Sequence, residues 1–215
     1  MPSAQKSRAI QRARRRQSRG RVYLLGALAL IIIVGVGLYV YATSQPPSIV
    51  YAKLNTSQGL IEVELYQSKT PKTVTNFVNL AKSGFYDNLV WHRIHKGFVI
   101  QTGDPYSRNG VNNSTWGTGG SPQTLPLEID SSLHNDAGYL AMAHATDPNS
   151  GSSQFYINLA NNRALDGNYT VFGKVITGMD SAYAIGNVPV YTPPDGQPIN
   201  PFSVLLTSVT ISNSP

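Results

Sequence analysis

From residue 49 onward the apolar residues come in short runs, each closed by a turn residue, and that spacing limits the chain to many brief strands. Residues 50–54 and 60–65 flank a turn-rich 55–59, and the second run sets Ile61, Val63 and Leu65 against Glu62 and Glu64. This is a hairpin with one wet face. Residues 138–143, 155–158, 171–176 and 202–211 read as further strands. Thr70-Pro71 opens a helix over 71–83, with Thr70 as N-cap, Pro71 at the first helical position and Gly84 as the stop. Its apolar stripe is Val74, Phe77, Val78 and Ala81. Asp180 caps a short helix through Ala182 to Ile185. Residues 104–123 are expected to be a long surface loop, and residues 187–200, with four prolines, a second one. Pattern alone leaves a closed antiparallel barrel and a sandwich both open.

The most site-like stretch is 90–104. Two strand-like runs meet at the turn His95-Lys96-Gly97, so alternate side chains put one arginine, one glutamine and several large apolar groups on a common surface. A lone arginine among apolar neighbours also fits a snorkelling side chain on a buried hairpin.

Before residue 49 the chain differs in kind. Residues 1–22 hold eight of the seventeen Lys and Arg and no acid, so the formal +6 of the 215-residue chain becomes −2 beyond them. Residues 23–42 carry no charge and are rich in Leu, Ile and Val, with Tyr23, Tyr39 and Tyr41 near the ends. As a helix they would be roughly 30 Å long, the thickness of a bilayer's hydrocarbon core. The expectation is a single-pass, uncleaved membrane anchor with a basic cytoplasmic tail and residues 49–215 outside the cytoplasm. A cleaved signal peptide competes, but the apolar run exceeds the usual ~7–15 residues of such segments. The tail's place directly before the span favours lipid headgroups over nucleic acid as its partner. Residues 43–48 form a proline-stiffened linker. The chain has no cysteine, which excludes thiol catalysis and thiolate-bound metals.

The stretch Val90-Trp91-His92-Arg93 to Asp104, then Ala141-Met142-Ala143-His144, Ser153-Gln154-Phe155-Tyr156-Ile157 and Leu165-Asp166-Gly167 with Val171-Phe172-Gly173-Lys174-Val175, resembles the cyclophilin family of peptidyl-prolyl isomerases in order and spacing. Four segments in register are far more specific than one. The likeness runs from about Tyr51 to Ser212. It implies a mainly β fold, an eight-stranded closed antiparallel barrel capped by two helices. It also implies isomerisation of X-Pro bonds, here in exported or surface proteins, with proline-containing polypeptides as partners and neither cofactor nor metal. The chain is expected to act as a monomer.

Carried over residue by residue, the resemblance assigns catalysis to Arg93 and Gln101. Phe98, Val99, Tyr156 and Leu165 form a slot for the proline ring, and Ala143, His144, Gln154 and Tyr169 complete the substrate contacts. Several positions depart from the family. Val99 stands where methionine is frequent, Tyr156 for phenylalanine, Ala164 for tryptophan, Tyr169 for histidine and His144 for asparagine, and the loop 146–152 is one residue longer.

Three other readings compete. A non-catalytic peptide-binding module or chaperone can use the same fold, since fold and pocket do not prove turnover. A metallohydrolase would need His92, His95, His134 and His144 to converge with Asp136 or Asp147, yet His92 and His95 are three apart on a strand-like run and face opposite ways. A Ser-His-Asp hydrolase lacks a nucleophile-elbow sequence. Glycines 117, 119 and 120 lack the lysine-serine pair of a phosphate cradle.

Overall fold

The computed structural model describes residues 30–40, 49–110 and 113–215. The chain divides into two units, residues 1–46 and 47–215. In the first, residues 30–40 are helical and exposed, α1. Among the described residues no helix is long and apolar enough to cross a membrane. The expected anchor at 23–42, and with it the cell-membrane placement of the domain, is corrected on that ground. The basic tail, the linker and the remainder of the apolar run lie outside the described residues. The expectation of exported clients rested on the anchor and loses its support with it.

The second unit carries ten strands in one antiparallel sheet: β1 (Val50–Thr56), β2 (Gly59–Leu65), β3 (Leu89–Val90), β4 (Arg93–His95), β5 (Val99–Thr102), β6 (Tyr139–Met142), β7 (Phe155–Asn158), β8 (Val171–Thr177), β9 (Asp195–Gly196) and β10 (Leu205–Ser212). Their order is β3-β10-β1-β2-β8-β6-β7-β5-β4-β9. The expectation of eight strands in a closed barrel is corrected in two ways. Eight strands have three or more residues, and the two-residue β3 and β9 extend the edges. The sheet also curls without a hydrogen-bonded seam. β3 pairs with β10 and β4 with β5, yet only Trp91 and His92 separate β3 from β4. The two flanks of the sheet therefore approach within the reach of a short peptide, roughly 10 Å. The chain itself bridges the gap.

Alternation decides what each strand contributes. Ile61, Val63, Leu65, Ile94, Ile100, Leu140, Phe155, Ile157 and Phe172 point into one buried core. Phe155 anchors it, with the rings of Phe77, Tyr86 and Trp91 edge-on at 5.4, 5.6 and 6.0 Å, a favoured aromatic geometry. Phe77 comes from helix α2 (Pro71–Lys82), which also buries Thr73, Val74 and Ala81 and packs against β10. Helix α3 (Met179–Gly186) lies against β2, β4 and β5. Both expected helices are present. The residue preceding α3 as its cap is Gly178, and Asp180 lies inside the first turn.

The start of α2 shows how long-range contacts replace a local signal. Thr70 occupies the N-cap position, but its side chain makes no capping bond. The free amides of Lys72 and Thr73 instead donate to the carboxylate of Glu128 at 3.1 and 2.8 Å, and the Thr73 hydroxyl adds a third bond at 2.8 Å. A charged acceptor satisfies the orphan N–H groups better than a hydroxyl and also faces the positive end of the helix dipole. Glu128→Ala should lower the stability of the domain by about 1–2 kcal/mol. Lys72→Ala, which keeps the backbone amide, should leave it nearly unchanged. Urea denaturation of the two variants beside the parent checks this.

Candidate active site

The face of the sheet opposite the core carries the expected site. Cross-strand register places Arg93 on β4 opposite Gln101 on β5, Gln101 opposite Tyr156 on β7, Tyr156 opposite Ala141 on β6, and Ala141 opposite Val171 on β8. Five adjacent strands thus give one row with a guanidinium at one end and an apolar floor at the other. Val99, Ala141, Tyr156 and Val171 are buried in a second hydrophobic cluster, distinct from the core, and Phe98, Ala143, Leu165 and Tyr169 pack against it half-exposed. The four residues expected to form the slot, Phe98, Val99, Tyr156 and Leu165, all fall in this cluster.

At the polar end, Arg93 forms a two-pronged pair with Asp195. Nε donates to the two carboxylate oxygens at 3.0 and 3.2 Å, and Nη2 donates to Oδ2 at 2.6 Å. Both side chains remain over a third exposed. Asp195 lies on β9, which pairs with β4 through Ile94–Gly196 and His95–Asp195. The stretch 187–200 is therefore not wholly loop, and its short strand brings a carboxylate to the arginine.

Gln101 does not bond to Arg93. Its Nε2 donates to Oε1 of Gln154 at 2.8 Å, and Nε2 of Gln154 donates to the carbonyls of Gly117 and Gly119 at 3.1 and 2.7 Å. The loop that supplies those carbonyls is held by Asp104. Fully buried, its carboxylate accepts from the backbone amides of Tyr106, Gly117 and Gly119, which offsets the cost of burying its charge. Gly103 leads into this turn with φ +91° and only 2.2 Å between an added Cβ and the Ser153 carbonyl oxygen, so no other residue fits. The segment read as a long surface loop is thus tied down at Asp104 and buries Trp116 in the core. The N–H groups of Gly117 and Gly119 already serve a carboxylate of the protein.

Three of the departures from the family pattern, Tyr156, His144 and Tyr169, have physical accounts. The hydroxyl of Tyr156 turns away from the slot and donates to Asn135 Oδ1 at 2.9 Å. Burial, then the nearby Tyr169, raise its pKa, so it stays neutral. Asn135 is fixed in turn by Asp166, which accepts from its backbone and side-chain N–H groups at 2.8 and 3.1 Å. Burial alone would raise the Asp166 carboxyl; the bonds from Asn135 and His134 outweigh it and hold the group below its ordinary range. His144 and Tyr169 stack with centroids 4.4 Å apart, and the imidazole nitrogens lie 2.6 and 2.8 Å from the carbonyl oxygens of Ala145 and Asn168. The Ala143 amide donates to the Gln154 carbonyl at 2.9 Å.

Two hollows open along this face. One, about 460 Å³, is lined by Arg93, Gln101, Ala143, His144 and Tyr169 together with His92, Trp116, Asp195 and Gln197. The other, about 230 Å³, shares Gln101, Ala143 and His144 and adds Gln154 and the 117–120 turn. The family described as cyclophilin type peptidyl-prolyl cis-trans isomerase/CLD matches residues 51–209. The chain belongs to the cyclophilin-type peptidyl-prolyl cis-trans isomerases. Among curated cyclophilins it is 39% identical over 165 residues to peptidyl-prolyl cis-trans isomerase CYP18-2 of Arabidopsis thaliana, covering 76% of this chain and 94% of that protein. It is 41% identical over 154 residues to ppi1 of Schizosaccharomyces pombe, covering 71% and 94%. A crystal structure of a Cryptosporidium parvum cyclophilin superposes with TM-score 0.69 at 32% identity, covering 78% of this chain and 99% of that one. The same protein in the presence of the dipeptide Ala-Pro gives 0.68, also at 32% identity, covering 76% and 99%.

Sequence reasoning missed Asp195, Trp116 and Gln197 as lining of the hollow, and weighed His92 only as a metal ligand. Asp195 lies 102 residues from Arg93 in a proline-rich stretch, and nothing local marks it. Among the described residues no group of three or more potential metal ligands gathers. His134 is paired with Asp166, His144 is stacked on Tyr169, and His92 is buried without a hydrogen bond of good geometry at either ring nitrogen.

Burial lowers the pKa of His92 to about 4, against an opposing pull from Asp104. Folded and unfolded chains therefore differ in bound protons between about pH 4 and the unfolded value near 6.5. The unfolded chain binds the extra proton in that window, so stability is full above it and falls as pH drops through it. About 2–3 kcal/mol should be lost between pH 7 and pH 4.5. His92→Gln should flatten this part of the profile, as measured by urea midpoints across the pH series.

Proposed function

We propose that Arg93 catalyses rotation about X-Pro bonds by donating to the prolyl nitrogen, and that the apolar cluster beside it seats the proline ring. The observation that carries this reading is the row from Arg93 through Gln101 to Tyr156, which sets a fixed cation beside an apolar floor. Rotation about an X-Pro bond meets a barrier of roughly 20 kcal/mol because the nitrogen lone pair is delocalised into the carbonyl. No bond is made or broken, so a catalyst needs only to hold the twisted amide better than either planar form. When the amide twists, the lone pair localises on nitrogen and becomes an acceptor. Arg93 keeps its Nη1 hydrogens and one Nη2 hydrogen for it, and the guanidinium stays charged at any working pH.

Gln101 holds the peptide beside the reacting bond, oriented by Gln154. Phe98, Val99, Tyr156 and Leu165 take the ring, and Ala143, His144 and Tyr169 flank the preceding residue. The Ala-Pro dipeptide named with the Cryptosporidium relative supports a proline-bearing peptide as the ligand here. The substrates are proline-containing polypeptides taken up by a monomeric domain, with no cofactor.

Arg93 serves the twisted state far more than the planar one. A charge-assisted bond made only there is worth about 2–4 kcal/mol, so Arg93→Ala should slow isomerisation about thirty- to a thousandfold. Peptide affinity should change much less. Phe98→Ala should weaken binding and rate together, because the ring needs its slot in both states. Arg93→Lys keeps the charge without the planar fork and should recover only part of the rate. Two-dimensional NMR exchange on a short X-Pro peptide measures rate and affinity in one experiment. Undiminished turnover in folded Arg93→Ala would remove the assigned catalytic role and leave a peptide-binding module as the reading to pursue.

A further inference from the structure

We infer that Asp195 is the positioning residue for Arg93, a role that rests on the catalytic reading above and identifies what gives the guanidinium its working orientation. A long arginine side chain on a three-residue strand has many rotamers, and few of them aim the same N–H groups at one point in the adjoining hollow. Asp195 removes that freedom by geometry. It takes Nε–H and one Nη2–H, the two donors on one edge of the planar group. A carboxylate that grips this edge fixes both the tilt and the rotation of the plane. The three remaining N–H bonds then lie on the other edges.

The carboxylate is itself well placed to act as a fixed support. β9 is hydrogen-bonded to β4, the strand that bears Arg93, so donor and acceptor rise from neighbouring strands. Lys96 donates its backbone amide to Pro194 at 3.0 Å, and the Thr192 hydroxyl donates to the Asp195 carbonyl at 2.7 Å. An added Cβ at Gly196 would meet the Thr192 hydroxyl at 2.6 Å and its backbone nitrogen at 3.0 Å, so this tight approach requires glycine. His95 Nδ1 lies 3.4 Å from Oδ2 of the same carboxylate without a hydrogen bond of good geometry. Arg93 is thus the dominant partner of Asp195. The pair is partly exposed, so it orients the cation without removing its charge from the site.

The test uses the full chain with Asp195→Asn, nearly isosteric but unable to accept at both oxygens with full charge, and Asp195→Glu, which restores the carboxylate. Asp195→Asn should lower kcat on an X-Pro peptide about ten- to thirtyfold with KM within about twofold. Asp195→Glu should recover part of that loss. The Arg93 Nε–H resonance should exchange slowly in the parent and should broaden or vanish in Asp195→Asn while the core amide signals stay in place. In an Arg93→Lys background Asp195→Asn should have little further effect, since an ammonium offers no fork to orient. An unchanged kcat in Asp195→Asn, with an active parent, overturns the positioning role alone. A higher kcat overturns it too, because Asp195 would then compete with substrate for Arg93. A parent with no turnover overturns the catalytic reading of Arg93, and the positioning role falls with it.

Discussion

Strand alternation locked by register is the constraint on which the rest of this molecule depends. Successive side chains of a strand leave on opposite faces, so the pairing register of β4, β5, β6 and β7 sorts their residues between the core and the site face. Phe155 and Tyr156 are neighbours in sequence and belong to different hydrophobic clusters for this reason. Ile100 and Gln101 part in the same way, Ile100 into the core and Gln101 onto the face of Arg93 and Tyr156. A one-residue slip of β7 would turn the Phe155 ring out of the core and the Tyr156 hydroxyl into it, so packing and site geometry are held by the same hydrogen-bonded ladders.

Carboxylates extend this order to segments that have no ladder. Glu128 receives the first amides of α2, Asp104 gathers the 117–119 turn, and Asp166 holds Asn135 beneath Tyr156. In each case an ionised acceptor meets backbone N–H groups that would otherwise lack a partner, at the point where a loop must stop moving. Their effects reach the site in sequence. Asp104 sets the turn, the turn sets the Gln154 amide, and Gln154 sets Gln101. The hydroxyl that distinguishes Tyr156 from the family's usual phenylalanine is absorbed in the same manner, so the slot keeps an apolar surface.

The arrangement suits a reaction in which no covalent bond changes. A cation with one edge anchored and the other free, beside an apolar floor, can favour a twisted amide without a nucleophile or a metal. The half-exposed state of Arg93 and Asp195 matters here, because a fully buried pair would neutralise the charge it is meant to offer.

Most of the fold and much of the site could be read from the residues themselves. Alternation in Leu60 to Leu65, the Thr-Pro start of α2 and the mixed character of 90–104 are local signals, and they located the hairpin, the helix and the strands of Arg93 and Gln101. Resemblance to a family supplied the remaining expected positions, of which Phe98, Val99, Ala143, Tyr156, Leu165 and Tyr169 fall in the second cluster. The tertiary structure decided what depends on contacts distant in sequence. It showed that Glu128 serves α2 in place of Thr70, that two-residue strands bring the count to ten, and that a loop rich in glycine is hydrogen-bonded to Asp104. It also paired Arg93 with an aspartate 102 residues away. Local pattern reports which face of a strand is apolar, because burial acts on each residue. Which carboxylate meets which donor is set only when the sheet curls and its flanks come together.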